Sequence, residues 1–141
     1  MNIFILGTNG FIGYHLLSAI LRETSWEVRG FDIQEGNIKN MVSPRFAFYQ
    51  GDIFHEDSLL EEQIAWADVV IPLAGIARPA LYITNPLLVY ELDYEQNLKI
   101  VRMCVEHDKR VIFPSTSEVY GMTEGVDRKS TRLNSSHFVP S

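Results

Sequence analysis

Gly7, Gly10 and Gly13 carry the first chemical signal. They follow the apolar run Ile3-Phe4-Ile5-Leu6 and lead at once into an amphipathic stretch. The apolar run predicts a strand buried on both faces. A strand, a glycine turn and a helix in that order offer unpaired backbone N–H groups and the positive end of a helix dipole to an anion, here a pyrophosphate. Gly7 lets the chain turn off the strand, Gly10 keeps a side chain away from the phosphates, and Gly13 lets the helix pack on the strand. The spacing G-x-x-G-x-x-G is one residue longer than the usual dinucleotide fingerprint, and three glycines alone also fit a plain strand-turn-helix. The confirming context is an acid at the end of a second strand. Trp26-Glu27-Val28-Arg29-Gly30-Phe31 ends in Asp32, 19 residues after Gly13. A carboxylate there accepts hydrogen bonds from an adenosine ribose and repels a 2′-phosphate, which favours NAD over NADP. Asn9, Phe11, Ile12 and Ile33 complete the cofactor contacts expected from these two segments.

Further strand ends add to the same edge. A helix continues through His15–Glu23 on the apolar face of Leu16, Leu17, Ile20 and Leu21. A strand over 27–31 is followed by a short helix near 37–42, which Ser43-Pro44 ends. Strand 45–50 leads into Gly51-Asp52-Ile53, and a helix spans 55–63. Strand 67–73 ends in Leu73-Ala74-Gly75-Ile76-Ala77, a second glycine-containing turn. Pro79 and Pro86 bracket Leu81-Tyr82, a helix runs from 87 to 107, and strand 110–114 precedes Ser115-Thr116-Ser117-Glu118. Five short apolar strands alternating with helices predict an α/β fold: a Rossmann-type doubly wound parallel sheet of strand order 3-2-1-4-5. Ligands of such sheets sit beyond the carboxyl ends of the strands. That edge collects Gly7–Gly13, Asp32, Asp52-Ile53, Leu73–Ala77 and Ser115–Glu118. Several of these residues admit a second role. Asp52 also fits a helix cap, Thr116 and Ser117 fit turns or N-caps, Glu118 fits a solvated surface acid, and Tyr82 fits packing between two prolines.

Composition excludes other classes. The chain has 141 residues, 46% of them hydrophobic, enough for one domain or part of one. A net charge of −6 with no basic patch argues against nucleic acid as a partner. No apolar run approaches the roughly 18 residues of a membrane span, and no basic leader precedes the first strand, so a cytoplasmic location is expected. The single cysteine, Cys104, lies in an apolar helical stretch and is expected to be a core thiol. His15, His55 and His107 have no metal-ligand spacing, and no metal site is expected.

The glycine turn Gly7-Thr8-Asn9-Gly10-Phe11-Ile12-Gly13, Gly51-Asp52-Ile53 and Ser115-Thr116-Ser117-Glu118-Val119-Tyr120-Gly121 resemble the extended short-chain dehydrogenase/reductase family. Its members act on nucleotide sugars as epimerases, dehydratases and decarboxylases. Ile71-Pro72-Leu73, Asn85-Pro86-Leu87, Glu91-Leu92-Asp93, Asn97-Leu98 and Phe113–Met122 are similar to the UDP-glucuronic acid decarboxylases of bacterial aminoarabinose (lipid A modification) synthesis. The resemblance covers roughly residues 1–126 and implies NAD as cofactor, a UDP-sugar (UDP-glucuronate above all) as substrate, and a homo-oligomer. By position it implies that Asp32 binds the adenosine ribose, that Asp52 and Ile53 lie at the adenine, and that Ala77 and Tyr82 touch the UDP-sugar. It also implies that Thr116 and Ser117 hold the sugar and that Glu118 is an acid/base residue. Asp93 stands where many members carry a structural Asn.

The family's catalytic base is a Tyr with a Lys four residues on. The six tyrosines here are followed at that spacing by Ser18, Ile53, Pro86, Tyr94, Leu98 and Glu124. The chain therefore reads as the N-terminal, cofactor-binding part of such an enzyme, expected by itself to bind NAD weakly and to turn over little or nothing. Residues 127–141 lose the apolar periodicity and back-translate, in one frame, to a DNA-sequencing adapter. They are expected to be a non-native tail rather than part of the domain.

Overall fold

The computed structural model describes residues 1–116, so Ser117, Glu118 and the 127–141 stretch lie outside the described residues. Five strands form one parallel sheet in the order β3-β2-β1-β4-β5, as the alternation of elements predicts. The strands are β1 (Asn2–Leu6), β2 (Glu27–Asp32), β3 (Phe46–Gln50), β4 (Val69–Pro72) and β5 (Arg110–Val111). The helices are α1 (Phe11–Glu23), α2 (Asp57–Trp66), α3 (Pro79–Thr84), α4 (Pro86–Tyr90) and α5 (Asn97–Glu106).

Period-two alternation along β1 divides the interior into two layers. Ile3 and Ile5 join Val28, Val69 and Ile71 beneath Leu17 and Ile20 of α1. Phe4 and Leu6 point the other way, into Phe31, Val70, Leu60, Ile64 and Ile100, the layer under α2 and α5. Both faces of β1 are thus dry, which is why its sequence is a continuous apolar run rather than an alternating one. Cys104 is fully buried in the second layer, as expected of a core thiol.

Three elements differ from expectation. The helix expected over 37–42 is a single 3-10 turn, Gly36–Ile38. Gly36 enters it at φ +41°, and Ile38 is buried in the α1-side core, so the segment is pinned at both ends with no length left for a helix. The long helix is continuous from Pro86 to Glu106, but it widens into a π-helical stretch over Glu91–Gln96, between α4 and α5. The last strand pairs over Arg110–Val111 and one bond further, Ile112 N–H to the Val70 carbonyl at 3.0 Å. Pro114, without an N–H, is unable to extend the ladder. The segment around Leu81-Tyr82 is helical (α3), with Pro79 in the first turn, where a missing N–H costs nothing.

Candidate functional site

Along the carboxyl ends of β1 to β4 runs a crevice of about 640 Å³, within the range of small-molecule and cofactor sites. Its walls are three loops, each held from outside. The glycine turn is the first. Gly7 N–H donates to the Phe31 carbonyl at 2.8 Å, and buried Thr8 accepts from Phe31 N–H at 3.1 Å while donating to the Ile5 carbonyl at 2.7 Å. Gly7 needs to be glycine twice over: its φ is +80°, and a Cβ there would lie 2.7 Å from the Ala74 nitrogen. At Gly13 a Cβ would collide with the Gly7 carbonyl, so helix and strand meet only at glycine.

The second wall is Gly51–Phe54. Gly51 N–H donates to the Asp32 carbonyl at 3.0 Å. Lys99 of α5 donates to the Ile53 carbonyl at 3.3 Å and pairs with Asp57 at 2.5 Å. Asp52 accepts from Phe54 N–H at 3.0 Å, an Asx turn rather than a cap on α2, whose first residue is Asp57. The third wall, Leu73–Ile76, is clamped from the π-helical stretch and the start of α5. Asn97 donates through Nδ2 to the Ala74 carbonyl (3.1 Å) and the Leu92 carbonyl (3.1 Å), and Asp93 accepts from Ile76 N–H at 2.7 Å. A widened turn at a functional wall is a recurring use of π geometry.

The crevice gathers Gly7, Asn9, Gly10, Asp32, Ile33, Asp52, Ile53, Leu73 and Ala74. The other expected cofactor residues lie just outside its lining. Gly13 is beneath the turn, while Phe11 and Ile12 are 81% and 60% exposed at the start of α1. Ala77 is exposed and outside the lining. Tyr82 donates to the Ile76 carbonyl at 2.9 Å, so it buttresses the third wall, and it lines a separate groove of about 320 Å³ with Tyr90 and Tyr94. Thr116 is exposed and is not among the residues lining the crevice; Ser117 and Glu118 lie outside the described residues. Sequence reasoning missed Phe31, Phe54, Arg78, Leu88 and Leu92, which also line it. Only Leu88 and Leu92 left a signal, their spacing of one helical turn.

The residues present fit a dinucleotide. α1 has 13 residues, no side-chain cap on its N-terminus and no acid in its first turn, so its leading N–H groups are open to an anion. A Cβ on Gly10 would meet only the Gly7 carbonyl, at 3.2 Å, so the space in front of this turn is open. Asp32 spends one oxygen on Asn9 N–H at 2.8 Å, which leaves the other to accept from a ribose hydroxyl. Among the described residues no cluster of three or more His, Cys, Asp or Glu is placed to hold a metal ion, and no helix is long and apolar enough to cross a membrane.

Residues 3–141 match the NAD dependent epimerase/dehydratase family, and the chain belongs to it. It is 47% identical over 121 residues to the bifunctional polymyxin resistance protein ArnA of Wigglesworthia glossinidia brevipalpis, which covers 85% of this chain and 18% of that protein. The PbgP3 protein from Burkholderia pseudomallei superposes with a TM-score of 0.82 at 40% identity, over 96% of this chain and 47% of that one. The UDP-glucuronic acid 4-epimerase of Bacillus cereus, solved with UDP-glucuronic acid and NAD, superposes with a TM-score of 0.79 at 27% identity, over 97% of this chain and 50% of that one. The chain thus spans half or less of the length of each of these relatives.

Proposed function

We propose that this member of the NAD dependent epimerase/dehydratase family provides the NAD-binding half of a UDP-glucuronate decarboxylase. The observation that carries the cofactor part is the joint placement of the open α1 N-terminus, Gly10 and Asp32 around one crevice. The substrate part is supported by 47% identity to ArnA and by a neighbour solved with UDP-glucuronic acid and NAD. NAD, when bound, supplies the acceptor for a hydride from C4 of the sugar. The C4 hydroxyl gives up its proton, and a ketone then stands β to the carboxylate. That carbonyl takes the electron pair as CO₂ leaves, and a proton replaces the carboxylate. The balance is one UDP-glucuronate and one NAD⁺ consumed, one UDP-4-keto-pentose, one CO₂ and one NADH formed.

In this reading the chain's own residues bind and orient. Asp32 holds the adenosine ribose, Asp52 and Ile53 flank the adenine, and the α1 N-terminus faces the pyrophosphate. Leu73 and Ala74 form the wall toward the reacting end. Ala77 and Tyr82 are assigned to the sugar nucleotide. Thr116 and Ser117 are assigned to the sugar near its reacting carbon, Thr116 to the C4 oxygen, where a hydroxyl stabilises the charge that develops as it becomes a carbonyl, and Glu118 is assigned to proton transfer. The complete gene product, incubated with UDP-glucuronate and NAD⁺, is expected to release CO₂ in step with NADH. Interconversion with UDP-galacturonate and no CO₂ would instead mean a 4-epimerase. NAD binding without turnover of any UDP-sugar would mean a noncatalytic NAD-binding module.

A further inference from the structure

We propose that Asn9 is a positioning residue for the adenosine end of the crevice: its side chain latches the Gly36-Asn37 segment and thereby sharpens the choice of NAD over NADP. The inference rests on the cofactor reading above. Asn9 joins three segments. Its main-chain N–H donates to Asp32 Oδ2 at 2.8 Å. Its side-chain Oδ1 accepts from Asn37 N–H at 2.5 Å, and its carbonyl accepts from Asn37 Nδ2 at 3.5 Å. Gly36 is shaped to this contact, with φ +41° and a Cβ position only 2.8 Å from Asn9 Cγ. A side chain at residue 36 and the Asn9 amide therefore exclude each other.

Ile33 and Gln34, which line the crevice, lie between the two points that Asn9 holds. The loop carrying them is tied at Asp32 by the Asn9 backbone and at Asn37 by the Asn9 side chain. That short loop also carries Glu35, and no Lys or Arg occurs between Asp32 and Ile38. With the latch closed, a ribose 2′-hydroxyl meets a fixed acceptor, whereas a 2′-phosphate meets the Asp32 carboxylate at the tied end of a loop that offers no cation. With the latch open, the first loses its preorganised partner and the second loses part of its repulsion. The two affinities move toward each other, which a general loss of stability would not produce.

The test is calorimetric titration of the complete gene product with NAD⁺ and with NADP⁺, in the wild type, Asn9→Ala, Gly36→Ala and the double variant. NAD⁺ affinity is expected to fall about tenfold in each single variant, the scale of one well-made hydrogen bond, while NADP⁺ affinity holds or rises. Gly36→Ala is expected to cost clearly less NAD⁺ affinity on the Asn9→Ala background than alone, because the group that residue 36 would strike is gone and only the strain of its positive φ remains. Equal weakening of both dinucleotides, an unchanged preference, or full additivity of the two substitutions overturns the latch alone. A complete wild-type protein that binds neither dinucleotide overturns the cofactor reading and the latch with it.

Discussion

Burial alone moves Cys104 far from the ordinary behaviour of a thiol. Removal from water raises its pKa from 9.0 to about 11, and the positive charge of Lys109 opposes the shift only in part. The thiol therefore stays protonated in the folded chain at pH values where the unfolded chain has begun to ionise. Unfolding then releases a proton, so this group's contribution to stability is intact below pH 9.0 and declines as pH rises toward about 11. Iodoacetamide at neutral pH is expected to leave Cys104 unmodified until urea unfolds the chain. Rapid alkylation under native conditions would contradict the buried placement. The same scale shows what single residues disclosed. Asp32 was legible as a carboxylate at a strand end, and it lines the crevice. Asn9, whose N–H bonds that carboxylate, was legible as a residue of the glycine turn, but its bond to Asn37 was not, because the partner lies 28 residues away.

Both ends of α1 are built deliberately, but only one end could be read. The glycine turn at its start is local in sequence. Its C-terminus is capped by Arg45, which donates to the carbonyls of Thr24 (2.7 Å), Trp26 (3.2 Å) and Leu21 (2.6 Å) from across the β2–β3 connection. A cation on the last carbonyls satisfies their lone pairs and complements the helix dipole. Arg45→Ala is expected to destabilise the chain by about 1–3 kcal/mol, since several carbonyls lose a charged partner together. Hydrogen exchange should speed up in the last turn of α1 before it does in β1 or β2; uniform acceleration would mean the contact is not local to that helix end. The π-helical stretch is the counterpart on the other side of the sheet. Its residues read as ordinary helix, because nothing in their spacing announces a widened turn. From this stretch and from the first residue of α5, Asp93 and Asn97 reach the β4–α3 loop.

Among the described residues the sheet ends at β3 on one side and β5 on the other, and the two edges are not alike. Beyond the short β5, Ile112 and Phe113 are 53% and 52% exposed. Tyr82, Ile83, Leu87, Tyr90 and Tyr94 add apolar surface along α3, α4 and the π-helical stretch. An apolar edge strand is a template for pairing with another chain. The isolated chain is therefore expected to self-associate with rising concentration. Ile112→Lys, which places a charge on that edge, is expected to shift light scattering toward the monomer without lowering the thermal midpoint. Unchanged association in Ile112→Lys would move the contact to the tyrosine-bearing helices.

Strand order, the double burial of β1 and the convergence of glycine turn and acid could be read before any coordinates, because each follows from local pattern: apolar runs, glycine spacing, alternating elements. The same patterns failed at 37–42, where tertiary anchoring at Gly36 and Ile38 overrode a stretch that resembled a helix. They were silent on Arg45, on the Asn97 clamp and on the Asn9–Asn37 latch, whose meaning lies in hydrogen bonds between residues far apart in the chain. Local sequence decided which elements form and which carboxylate faces the cofactor crevice. Only the folded arrangement decided which distant side chains satisfy the loops between them, because a polar partner is chosen by position in space and leaves no period in the sequence.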